Sequence, residues 1–234
     1  QNTSGGYNVA IGRQSMDCST VGISNVAVGN NSNYNNTSGS CNAFIGSHAG
    51  FANTTGSCNT ALGNYAALCH ATNSNIVAIG AYALCANVQD SNVAVGRSAG
   101  QANTTGSVVA VGRDALLSNT TGASNTAVGK MAAQSNTSGV RNTAVGECAL
   151  QNTTTGSENT AIGFQALRSN TTGGCNTGIG DEALEFNTTG VQNTAVGRTA
   201  LYSNTSGNYN TAVGRSALQQ NTTGDNNAAF GRTA

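Results

Sequence analysis

The chain contains no proline and no tryptophan, and charged residues make up only 8% of its 234 positions, against roughly 25% in an ordinary soluble domain. With five Phe and six Tyr, large side chains are too few to fill a wide core. A narrow core of Val, Ile, Leu and Ala is within reach. The formal net charge is zero, which excludes a global electrostatic pull toward nucleic acid or an anionic membrane surface. No apolar run approaches the ~18 residues of a membrane span. There is no starting Met and no signal peptide, so the numbering reads as that of a mature or excerpted chain. Seven cysteines, an odd number, show no C-x-x-C spacing. They are expected to fill ordinary repeat positions and not a metal site.

What the chain has is a repeat. N-T-A-V-G and its variants recur, ending on Gly12, Gly29, Gly46, Gly63, Gly80, Gly96, Gly112, Gly129, Gly146, Gly163, Gly180, Gly197, Gly214 and Gly231. The interval is 17 residues except from Gly80 to Gly96 and from Gly96 to Gly112, where it is 16. A period this short cannot hold a helix pair and means stacked β-coils. The fold class expected is therefore all-β: a β-solenoid or parallel β-roll of about fourteen 17-residue coils, one continuous array over residues 1–234. At ~4.8 Å per coil it would be a rod of roughly 65 Å.

With each of these glycines as position 0, the consensus is G-x-x-A-L-x-x-N-T-T-G-x-x-N-T-A-V. Position 10 is Gly in nearly every copy, including Gly56, Gly106, Gly156 and Gly207, with Asn73 and Asp90 as exceptions. Asn and Asp tolerate the left-handed backbone region best among non-glycines. Position 10 is thus expected to close a tight N-T-T-G turn with positive φ. Position 13 is Asn in twelve copies, and stacking should place Asn125, Asn142, Asn159, Asn176 and Asn193 in an amide ladder.

Side chains alternate along the strand. Position 16 is Val, Ile, Leu or Phe throughout, and position 14 is mostly Thr or Val. The larger apolar set is expected inside, facing the position-4 leucines, which leaves the nearly invariant Ala of position 15 outside. A column of small residues on an outer face suits close packing by another chain.

Asn8-Val9-Ala10-Ile11-Gly12, Asn25-Val26-Ala27-Val28-Gly29 and Asn75-Ile76-Val77-Ala78-Ile79-Gly80 resemble the head repeat of trimeric autotransporter adhesins. The N-T-A-V-G-x-x-A-L-x-x-N-T-T-G form is similar to repeat regions of phage and virus tail-fibre proteins. The resemblance covers the whole chain. It implies a left-handed parallel β-roll, three chains in one stiff fibre, and an extracellular, cell-surface or virion-surface location.

Catalytic chemistry finds no foothold. His48 and His70 lie at positions 2 and 7, the nine acidic residues are scattered, and no Ser, Thr or Cys has a readable base and acid partner. No enzyme, cofactor or metal site is expected. Position 1 carries Arg13, Arg97, Arg113, Lys130, Arg198, Arg215 and Arg232, broken by Glu147 and Asp181. Stacked, these make a partial basic stripe that either protects a β-surface from aggregation or contacts anionic glycan. Sequons at Asn2, Asn36, Asn53, Asn103, Asn119, Asn136, Asn152, Asn170, Asn187, Asn204 and Asn221 follow from the turn itself. In a eukaryotic secretory pathway they would line one edge with glycans.

The leading function is the shaft or head of an extracellular fibre, a viral tail fibre or bacterial adhesin, that attaches to a host or surface. Its partners would be further copies of the chain, as a trimer or head-to-tail filament, and a host glycan or receptor, without nucleic acid. An inverted face assignment would place a T-x-V array outside, as in Thr126 with Val128, and point to ice binding. A self-assembling filament without ligand is the third class.

Overall fold

The computed structural model describes residues 4–234. They form two compact units, the first ending at Asp114 and the second beginning at Ala115. The first holds β1 (Val9–Ile11), β2 (Val26–Val28), β3 (Ala43–Ile45), β4 (Thr60–Leu62), β5 (Val77–Ile79), β6 (Val93–Val95) and β7 (Val108–Val111). The second holds β8 (Asn125–Val128), β9 (Thr143–Val145), β10 (Thr160–Ile162), β11 (Thr177–Ile179), β12 (Thr194–Val196), β13 (Thr211–Val213) and β14 (Ala228–Phe230). Each unit is an all-β parallel solenoid, and no helix occurs among the described residues. Strands pair in sequence order and exact repeat register: Thr160 lies opposite Thr143, Ala161 opposite Ala144 and Ile162 opposite Val145.

Each coil contains one short strand, yet the inter-coil hydrogen bonds continue around it. Thr143 N–H donates to Asn159 C=O at 2.8 Å, Leu167 N–H to Ala183 C=O at 2.9 Å, and Thr137 N–H to Thr154 C=O at 2.9 Å. The turn backbone reaches its neighbours by placing non-glycine residues in the left-handed region. Gln165, Leu167 and Cys175 have φ of 54°, 53° and 58°, and the same three columns repeat from coil to coil. A left-handed non-glycine residue costs roughly 1–2 kcal/mol, comparable to one net hydrogen bond of ~1 kcal/mol. The ladder bonds and the buried column of the same coil offset that strain.

The face assignment is the reverse of the expectation. Position 15 points inward: Ala127, Ala144, Ala161, Ala195 and Ala212 are fully buried. Positions 14 and 16 point outward, and Leu62 and Ile162 keep 46% and 40% of their surface exposed. The coil is too thin for two facing rows of branched side chains. Its core is Ala from the strand packed on the turn's Ala and Leu, as with Ala166 and Leu167, both fully buried. One copy shows how tight this space is. Phe44 replaces the strand Ala and is fully buried, and Gly50 replaces the turn Leu. A Cβ on Gly50 would lie 2.7 Å from the Phe44 ring.

Position 10 also departs from expectation. Gly56, Gly106, Gly156 and Gly207 do not have positive φ; that role falls to position 0, for example Gly29 at 134° and Gly197 at 131°. Position 10 is Gly because of crowding. A Cβ on Gly156 would stand 2.5 Å from the carbonyl oxygen of Gly173 and 3.0 Å from Asn170 Nδ2. Of the two exceptions, Asn73 precedes the first 16-residue step and Asp90 lies inside it, where the turn is rebuilt: Asn87 Nδ2 donates to the Gln89 carbonyl at 2.7 Å, and Asp90 Oδ1 accepts from Ser74 N–H at 2.9 Å.

Candidate functional site

Two internal asparagine columns set the shape of each coil. In the first, Asn125, Asn142, Asn159, Asn176 and Asn193 are buried. Asn142 Oδ1 accepts the backbone N–H of Asn159 at 3.0 Å, while Asn142 Nδ2 donates to the Gly156 carbonyl at 2.8 Å. Amide-to-amide contacts run alongside, as from Asn159 Nδ2 to Asn142 Oδ1 at 3.2 Å. This column chiefly ties side chain to backbone. The second column, at position 7, was hidden in the sequence as part of a turn. There the amides bond directly: Asn187 to Asn170 at 2.9 Å and Asn204 to Asn187 at 2.8 Å. Each also donates to the position-10 carbonyl of its own coil, as Asn204 does to Gly207 at 3.0 Å.

That column corrects the reading of the sequons. Asn36, Asn53, Asn103, Asn119, Asn136, Asn170, Asn187 and Asn204 are buried ladder members and cannot present a glycan edge in the folded chain. Asn2 lies outside the described residues. Asn152 differs: its coil reads N-T-T-T-G, so Asn152 sits one place earlier and is exposed, and Thr153 occupies the ladder site.

The basic stripe is largely paired to acids. Arg97 and Arg113 both reach Asp114, at 3.2 and 3.4 Å. Lys130 meets Glu147 at 2.7 Å, and Arg198 meets Asp181 at 3.3 Å. Arg13 is exposed at the first coil. Among the described residues no acid pairs with Arg215 or Arg232. Other columns pair likewise: Arg141 with Glu158, and Arg168 with the buried Glu185 at 2.9 Å. Hydrogen bonding from Arg141 holds the Glu158 carboxyl below its usual range, whereas burial pushes Glu185 up. The pairs exposed on both sides, Lys130–Glu147, Arg141–Glu158 and Arg198–Asp181, contribute little stability each; they cancel charge and favour the register.

The groups that could carry chemistry lie apart. His48 contacts Asn31 Nδ2 and Ser47 Oγ at 3.0 and 2.9 Å. His70 is fully buried with neither ring nitrogen bonded. Cys41 and Cys58 are exposed free thiols, and no cluster of three metal-ligating side chains occurs among the described residues.

What remains is the outer sheet face. In the second unit the Thr column, Thr126 through Thr211, runs beside the Val/Ile column from Val128 to Val213, in register strand by strand. In the first unit most strands are aliphatic on both columns, with Val77 and Ile79 paired to Val93 and Val95, while β4 carries Thr60. No charged residue stands on the strands. Sequence reasoning placed these side chains inside; the signal against it was the Phe44–Gly50 exchange of volume. No protein-family model and no curated protein matches the chain.

Proposed function

We propose that this chain is a non-catalytic segment of an extracellular attachment fibre whose exposed sheet faces pack against further copies of the chain. One observation carries the reading: in each unit an uncharged strand face keeps its Val, Ile and Leu column open to solvent, with Ile45 and Leu62 in the first and Ile162 and Ile179 in the second. Contiguous apolar surface of this kind marks an interaction site, and a chain with 8% charge has few means of keeping it wet. A homo-oligomer, a trimer if the adhesin resemblance extends to assembly, would bury that face and leave the charge-paired columns outside. A host or surface glycan would then meet those outer columns. Sedimentation equilibrium tests this. The chain is expected at a multiple of 23.3 kDa that falls toward monomer when Val145, Ile162 and Ile179 become Lys. A monomer at every concentration overturns it.

A specific feature favours a second reading. In β8–β13 the Thr hydroxyls and Val or Ile methyls form two ranks, spaced ~4.8 Å along the stack and ~6.7 Å across it. Such a regular, uncharged array supports ice binding. Thermal hysteresis by the monomer, lost on Thr143→Lys, would select this reading over fibre assembly.

A further inference from the structure

The first unit carries a run of rings that the repeat does not require. Position 2 accepts residues as different as Asn31, Ser98, Asp114 and Met131, yet three successive coils place His48, Tyr65 and Tyr82 there. His48 stacks on Tyr65 with centroids 5.0 Å apart, and Tyr65 on Tyr82 at 5.2 Å with planes 20° apart. Their φ values, 57° and 61° for the two tyrosines, aim both side chains the same way. Tyr34 stacks on Phe51, and Tyr202 meets Phe186 edge-on. Among the described residues, Tyr65 and Tyr82 are the one stacked pair in which both rings are phenols.

We propose that Tyr65 and Tyr82 are a site of oxidative phenol coupling, giving a dityrosine staple between neighbouring coils. Tyr82, 39% exposed, is open to a one-electron oxidant of the peroxidase class acting with hydrogen peroxide. Each phenol gives up its O–H hydrogen, as one electron and one proton. The peroxide takes both electrons and both protons and leaves as two waters. The two phenoxyl radicals hold spin density on the carbons ortho to oxygen, and a C–C bond forms between one such carbon on each ring. The hydrogen on each joined carbon then moves to its ring's oxygen, which restores two phenols. In-register stacking pre-orients the rings, so coupling within a chain outcompetes coupling between chains.

The test uses the whole chain with its thiols alkylated, at low concentration, treated with peroxidase and hydrogen peroxide. Dityrosine fluorescence should appear in material of monomer chain mass on a denaturing gel. The tryptic peptide Gln14–Arg97, which contains both tyrosines, should lose the mass of two hydrogens. Tyr65→Phe and Tyr82→Phe should each abolish the product, while Tyr34→Phe should leave it unchanged. Absence of dityrosine, coupling that survives Tyr82→Phe, or coupling only between chains would overturn the assignment.

Discussion

Thr153 stands one coil from Asn136 in the internal amide column and leaves the Asn136 Oδ1 without a donor, although Asn136 itself donates to Asn119 at 2.6 Å. His70 does the same to Asn53, whose Oδ1 is also unpartnered. A buried unmet acceptor costs about 1–3 kcal/mol. Thr153→Asn should therefore restore the bond and raise stability by ~1 kcal/mol, read as a higher midpoint in denaturant. An unchanged or lower midpoint would show that the column does not act as a bonded ladder.

At Gly156 the limit is space and not backbone handedness. Ala, Asn and Val should all destabilise, by roughly 1–3 kcal/mol, because each brings the same Cβ against the Gly173 carbonyl. Chemical denaturation of the three variants checks this. An Asn variant as stable as the parent would restore the left-handed turn that the sequence suggested.

His70 gives the chain an acid-sensitive point. Burial lowers its pKa from 6.5 to about 4, against a smaller raising influence from Asp90. The unfolded chain takes up the proton near 6.5 and the folded chain only near 4. Stability is thus full above the upper value, falls across that window as pH drops, and levels off below it. The loss is on the order of 3 kcal/mol. Melting profiles at stepped pH should show it, and His70→Asn should flatten that part of the curve. An equal slope in the variant would assign the loss to other groups.

Much of this fold was legible in the sequence. The 17-residue period and its parallel register follow from the glycines of position 0, because a stack repeats whatever each coil repeats. The inner and outer faces were not legible from apolar size alone. Volume argued for Val and Ile inside, but the distance across the coil admits only Ala against Leu, and the branched residues take the outer sheet, where strands accept them. Phe44 paired with Gly50 was the available clue, since two positions that exchange volume share one core. The position-7 asparagines were read as turn formers because the same N-T-T-G string serves a turn and a buried ladder. Asn73 and Asp90 looked like evidence of backbone handedness and instead stand before and inside the first of the two shortened coils.

Burial also sorts the sequons. Produced through a eukaryotic secretory pathway, the chain should carry glycan at the exposed Asn152 and none at Asn170, Asn187 or Asn204, which lie fully inside. Site occupancy by peptide mass spectrometry reads this directly. Occupied ladder asparagines in folded, secreted protein would contradict the internal placement of that column.

Fibre assembly and ice binding both depend on Ala lying inside and Val or Ile outside, and one pair of neighbouring residues isolates that. Ala161 is fully buried and Ile162 is 40% exposed. The measurement is the thermal melt, by circular dichroism in dilute protein, of Ala161→Lys and Ile162→Lys. Ile162→Lys should keep the β-spectrum and melt within a few degrees of the parent, since exposed substitutions usually stay within ~0.5 kcal/mol. Ala161→Lys should lose cooperative melting, because an unpaired charge would enter a core with no room for it. A folded Ala161→Lys beside an unfolded Ile162→Lys would invert the faces and remove the basis for both functions.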